Sequence, residues 1–309
     1  MSRNRPRRAV TAASCLFAAL LVLGGCSVPT SAPAVQPSGT GPRDPGPSVE
    51  DFVRQLKPTA PYRDPGERER QDTEEAVSLL LRGRDGLDRA TALLNGVGYQ
   101  SAVDDDPETG RSYAIFTTDA GGDRSWGMLL VDLSRPPELA VEVPHPNSDL
   151  HTEDVGLRLF RAVPGSVLLI AGAHRRAAND RADAAHNPDG LFQVIAAEFA
   201  RHDVNQIQLH GFADRSLPDE DVVVSNGQRR SSAPLRRVAN ALDEAGFVTC
   251  RAWTARCGQL EGTTNTQAEE ARRQGTVFIH LEITWAVRRD ADRRATLVQA
   301  LAAADLPRN

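Results

Sequence analysis

The chain is expected to fold as an α/β protein with a mixed, largely parallel sheet and helices on both faces. From about residue 140 onward, short apolar runs alternate with amphipathic helical patterns, as parallel strands and their crossover helices do. Ahead of that, SYAIFTT, WGMLLVDL and ELAVEV are β-rich runs divided by Asp-, Gly- and Pro-rich turns, which suits successive pairing strands. In addition, VEVPHPNSDLHTE, IQLHGF and VFIHLEITW each place a metal-binding or acid–base side chain at or near the end of an apolar run. Strand ends are where an α/β sheet presents its chemistry.

In chain order, the first 26 residues read as a targeting segment. MSRNRPRR is a positive region, AVTAASCLFAALLVL is an apolar run too short to span a bilayer comfortably, and Leu23-Gly24-Gly25-Cys26 closes it. That end matches the bacterial lipoprotein box, which implies cleavage before Cys26, a diacylglyceryl group on it, and a protein held on the extracytoplasmic face of the cell membrane. Residues 27–48 are rich in Pro, Ser, Gly and Ala, with too little apolar bulk to offset their ordering entropy, and are expected to be a tether. The stretch Asp51 to Arg70, with Pro58, Pro61 and Pro65, is expected to be irregular apart from one short helix.

Residues 49–139 form an N-terminal helical and strand region compatible with the same domain, and 140–309 the α/β core. A helix opens at Thr73-Glu74-Glu75, and a second runs from Leu87 to Leu94 before Asn95-Gly96. After the three strands come a helix from Thr152 to Ala162, strand SVLLIAG, helix LFQVIAAEFARH, strands IQLHG and DVVVS, helix APLRRVANALDEAG, strands FVTCRAW and VFIHLEI, and a last helix from Asp290 to about Ala303. No internal repeat is visible.

Composition narrows the function classes. The 309 residues are 40% apolar, enough for one core of roughly 220–260 residues once the N-terminus is set aside. A net charge of −5 leaves no broad basic surface, so a nucleic-acid partner is not expected. There is no Gly-x-Ser-x-Gly, phosphate loop or paired CxxC. Cys250 and Cys257 are the only cysteines beyond Cys26, and outside the cytoplasm they are expected to form a disulfide.

His145 lies between Pro144 and Pro146 where a strand gives way to a helix, with Asp149 or Glu153 in reach; either Asp149 or Thr152 also suits a helix cap. His210 ends a second strand beside Gly211. Two histidines with a carboxylate between them fit a ligand set that leaves one position open, as catalytic zinc does. Period-two counting puts Phe278, His280, Glu282 and Thr284 on one face of the last strand, so Glu282 faces a polar pocket or pairs with an arginine such as Arg288.

This order resembles the zinc carboxypeptidases and their relatives, the poly-γ-glutamate hydrolases and N-formylglutamate amidohydrolases, over roughly residues 140–288. The resemblance implies zinc held by His145, His210 and a carboxylate, with Glu282 as general base. Ser148 stands where the family's compact His-x-x-Glu has its Glu; with Thr152 as anchor, Asp149 best matches the ligand and Glu153 is the alternative. The resemblance further implies Arg175 as oxyanion stabiliser and His174, His186, Asn187 and Asn265 as candidates for substrate contact. The expected activity is hydrolysis of amides in cell-wall or γ-glutamyl peptides. The competing expectations are a non-catalytic envelope lipoprotein binding a peptide or protein on the same fold, and a metal-free carbohydrate hydrolase using Asp149 and Glu282.

Overall fold

The computed structural model describes residues 42–306; the lipoprotein box, Cys26 and most of the expected tether lie outside them. Helices α1 (Pro45–Gln55), α2 (Glu67–Leu81) and α3 (Leu87–Val97) come first, followed by strands β1 (Gln100–Asp105), β2 (Ser112–Thr117), β3 (Gly127–Asp132) and β4 (Leu139–Val143). Then come α4 (Thr152–Ala162), β5 (Ser166–Ala171), α5 (Leu191–Arg201), β6 (Asn205–Phe212), β7 (Val222–Ser225) and α6 (Ala233–Glu244). The chain continues with β8 (Thr249–Arg251), α7 (Thr266–Gln274), β9 (Phe278–Thr284), the single turn α8 (Trp285–Arg288) and α9 (Ala291–Ala303).

The nine strands of the described residues join one sheet in the order β1-β2-β3-β5-β4-β6-β9-β7-β8. Its centre, β5-β4-β6-β9, is parallel, while β1, β2 and β3 add an antiparallel meander on one side and β7 runs antiparallel to β9 on the other. Side chains of one parity, among them Val141, Leu168, Ile207, Leu209, Ile279 and Leu281, pack against α1, α4, α6 and α9. On the opposite face Ala140, Val167 and Leu169 pack against α2, α3 and α5. The mixed α/β sheet covered on both faces is therefore present.

Several boundaries differ from the sequence reading, each for a physical reason. Residues 45–48, expected in the tether, begin α1: Pro45 sits in the first turn, where its missing N–H costs nothing, and Asp44 accepts a hydrogen bond from Gly46 N at 2.7 Å. Val49, Phe52 and Val53 then bury one stripe of that helix. Helix α2 starts at Glu67, earlier than Thr73, because Pro65 lies just upstream and Glu69 accepts from Gly66 N at 2.6 Å. Strand β1 is a polar edge strand with little alternation. Helix α7 has almost no apolar stripe and is defined instead by its caps, Asn265 accepting from Ala268 N and Gly275 in the left-handed conformation. Cys250 and Cys257 are joined in a disulfide.

Candidate metal centre

The face of the sheet that looks toward α5 and α7 turns polar at its centre. Glu142 on β4 lies beside Gln208 on β6, which lies beside His280 on β9; one step along, His210 is in register with Glu282. Carboxylate, amide and imidazole groups in the middle of a parallel sheet need hydrogen bonds or a ligand to offset their desolvation. Glu142 and Gln208 are fully buried, and His280 and His210 nearly so.

After β4 the chain enters a tight loop that folds Asp149 back onto His145. The His145 carbonyl accepts from Ser148 N at 3.1 Å and from Asp149 N at 2.9 Å, one helical turn that puts both side chains on the same side. Asn147 and His151 adopt left-handed backbone with φ of 57° and 71°, and Asn147 Nδ2 anchors the loop by donating to Leu56 O at 2.6 Å. This winding supplies the carboxylate at a spacing longer than His-x-x-Glu.

His145, Asp149 and His210 meet there, all buried. His145 Nδ1 lies 3.1 Å from Asp149 Oδ2 and 3.2 Å from His210 Nδ1, and His210 Nδ1 lies 3.8 Å from Asp149 Oδ2. Donors about 2.0–2.1 Å from a tetrahedral zinc are about 3.4 Å from one another, so these spacings fit the ion. The other nitrogen of each ring is occupied: His145 Nε2 by Asp183 Oδ1 at 2.8 Å, and His210 Nε2 by Gln208 Oε1 at 2.6 Å. Partners of this kind direct Nδ1 of both rings toward a metal. Gly211 N donates to Asp149 Oδ2 at 3.1 Å and orients it.

Charge around the trio is uneven. Burial works against protonation of His145, but hydrogen bonds to Asp149 and Asp183 outweigh it and raise its pKa. His210 is held well below the usual imidazole range by burial and by the neighbouring His280 and His145. Burial also pushes His280 down to about 3. Asp183 resists burial through hydrogen bonds from His145 and His186 and stays far below the ordinary carboxylate range. Glu282 is pushed up to about 8 by burial and by the charge of Asp149, and it keeps some surface open. Its carboxyl is neither paired with Arg288 nor within the first trio; with His210 and His280 it makes a second possible ligand group that shares His210.

Arg288 has another task. Its guanidinium donates to the carbonyls of Ile283 at 2.9 Å, Leu150 at 2.7 Å and Phe212 at 3.1 Å. Those three carbonyls belong to the segments carrying Glu282, Asp149 and His210. A Cβ on Gly211 would lie 2.3 Å from this guanidinium, so a larger residue there would have to push the guanidinium off its three carbonyls.

The remaining expected residues divide. Arg175 reaches the cluster, with Nη1 3.3 Å from His145 Nδ1 and Nη2 donating to Asp183 at 2.7 Å. His186 Nδ1 is 3.2 Å from Asp183 Oδ1, at the rim. His174 accepts from Arg176 N rather than joining the trio. Glu153 is not brought to the trio: it sits in the first turn of α4 and lines a cavity of about 560 Å³ between α1 and α4. Asn187 donates to Asp64 at 2.7 Å and to Arg181 O, so it secures a loop. Asn265 caps α7 and donates to Gln208, which in turn holds His210. Sequence reasoning missed Asp183, Glu142 and Gln208. The last two share the parity of His210 and Glu282 on adjacent strands, a signal present in ELAVEV and IQLHGF, whereas Asp183 sits in a loop with no periodicity.

No protein-family model matches the chain, and no curated protein sequence matches it. Among solved structures, the chain is similar to a bacteriophage poly-gamma-glutamate hydrolase, with 15% identity over 55% of this chain and 83% of that one and a TM-score of 0.41. It is similar to an aspartoacylase family protein from Mesorhizobium loti, with 16% identity over 66% and 67% of the two chains and a TM-score of 0.36. It is also similar to the LapA aminopeptidase of Legionella pneumophila, with 11% identity over 88% and 76% and a TM-score of 0.38. Likeness of this extent fixes neither activity nor substrate.

Proposed function

We propose that the protein is a zinc-dependent amide hydrolase, anchored by a lipid on Cys26 at the extracytoplasmic face of the membrane and acting on cell-wall or γ-glutamyl peptides. The observation that carries this reading is the convergence of His145 Nδ1, Asp149 Oδ2 and His210 Nδ1 with an unpaired carboxyl, Glu282, beside them. The three atoms would hold the ion, which when bound lowers the pKa of water to about 7 and polarises a carbonyl. Glu282 takes a proton from the attacking water and hands it to the departing amine nitrogen. The Arg175 guanidinium supplies donors to the carbonyl oxygen as it gains negative charge. Asp183 holds both His145 and Arg175, which fixes their separation. The LGGC sequence supports the anchor, and the location in turn supports envelope peptides as substrates.

One observation favours a second reading, a non-catalytic envelope lipoprotein that binds a peptide or protein: Arg175 rests against the very nitrogen of His145 that the ion needs. Release of free amine separates the two. The soluble domain should cleave γ-glutamyl or peptidyl amides, lose that activity to a zinc chelator and regain it on adding zinc. Chelator-insensitive cleavage would count against the zinc mechanism, and no cleavage across a panel of γ-linked, muropeptide-type and C-terminal amide substrates would count against the hydrolase.

A further inference from the structure

Behind His210 lies a chain of hydrogen bonds whose direction is fixed at both ends by the backbone. At one end, the Ala268 N–H can only donate, and it donates to Asn265 Oδ1 at 2.9 Å. Asn265 must then present its Nδ2 to Gln208, whose facing atom is therefore the acceptor Oε1. At the other end, the Ala184 carbonyl can only accept, and it accepts from Gln267 Nε2 at 3.0 Å. Gln267 must then offer Oε1 to Gln208 Nε2, 3.1 Å away, and the same Nε2 donates to Glu142 Oε2 at 2.8 Å. The two anchors agree on one orientation of the Gln208 amide, and all four of its partnerships are made inside the protein. With Oε1 facing it at 2.6 Å, His210 Nε2 has to carry the proton, which leaves the lone pair on Nδ1.

We infer that Gln208 is a positioning residue, locked by Asn265 and Gln267 so that His210 is held as its Nε2–H tautomer with Nδ1 free for a cation. The N-cap of α7 thereby reaches the candidate metal centre through two side chains. A flipped Gln208 would bring its NH2 against the Asn265 NH2 and its oxygen against Gln267 Oε1, so the wrong tautomer of His210 would come with a mismatch at both anchors. Glu142 is compatible with the lock: burial pushes its carboxyl up to about 8, which lets it stay neutral and accept from Gln208 without a buried charge. The effect on metal affinity rests on the metal reading above; the tautomer does not.

The test is nitrogen NMR of histidine-labelled, chelator-treated protein at about pH 8, joined to zinc affinity by competition with a chromogenic chelator. The wild type should show His210 as the Nε2–H tautomer. Asn265→Asp keeps the acceptor that caps α7 but replaces the donor facing Gln208, and Gln208→Leu removes the lock outright. Both should shift His210 toward Nδ1–H or a mixture and weaken zinc binding about 10–100-fold. A wild-type His210 in the Nδ1–H form would overturn the inference even if neither variant folds. Folded variants with an unchanged tautomer and zinc affinity within about twofold would overturn it as well. A wild-type Nε2–H tautomer lost in the variants, in a protein that binds no zinc, would support the lock while removing the metal reading.

Discussion

Glu282→Gln is expected to slow amide hydrolysis by about 10²–10⁴-fold while leaving the metal in place. The amide keeps the shape of the side chain but cannot accept the proton of the attacking water. Because His145, Asp149 and His210 make the first ligand trio without Glu282, metal content should not fall. Loss of the metal in this variant would instead assign Glu282 to the ligand group it forms with His210 and His280, and unchanged turnover would remove it from the chemistry. The same variant has a stability signature. In metal-free protein the Glu282 pKa of about 8 exceeds that of an unfolded glutamate, so the folded state holds a proton that the unfolded chain releases. Its contribution is fully present below about pH 4.5 and is lost as pH rises toward about 8. Denaturant midpoints measured with chelator at pH 5 and pH 8 should therefore fall in the wild type by more than in Glu282→Gln.

Arg288→Met is expected to destabilise the protein by about 3 kcal/mol, because it strands the buried carbonyls of Phe212 and Ile283 and removes the donor to the partly exposed Leu150 carbonyl. Gly211→Ala should cost about 1–3 kcal/mol by driving a methyl group into the same guanidinium. The pair should be strongly non-additive, since the flexible thioether chain of Arg288→Met leaves room for the methyl group, and the added cost of Gly211→Ala in that background should nearly vanish. Urea midpoints of the two single variants and the double variant measure this. Full additivity would mean that Arg288 and Gly211 do not share the space the structure gives them. Zinc affinity should fall in both single variants, because Arg288 ties together the three segments that carry Asp149, His210 and Glu282.

How far the sequence goes is clearest along β6 and β9. Polar and apolar residues alternate from Ile207 to His210 and from Ile279 to Thr284, so the two strands and the shared face of His280 and Glu282 are legible from period two, while the register that adds His210 to that face is seen only in the sheet. The same alternation puts Glu142 and Gln208 on that face, but a buried glutamine carries no sequence mark of what it holds. Loops hide more. The residues alone leave Asp149 and Glu153 both open and only the resemblance favours Asp149, because which carboxylate reaches His145 depends on left-handed turns at Asn147 and His151. Asp183 reaches His145 across a loop from which no pattern predicts a direction. Helix α1 is masked by proline, a helix breaker inside a helix and a helix starter at its first turn. The resemblance points Asn265 toward substrate; it instead caps a polar helix that has almost no amphipathic signal.

Metal content of the domain prepared from residue 42 onward without chelator, compared with His145→Ala and His210→Ala, decides whether His145, Asp149 and His210 hold an ion. About one zinc per chain is expected in the wild type, lost from both variants. Wild-type protein that is free of zinc and stays so after zinc is added would contradict that assignment.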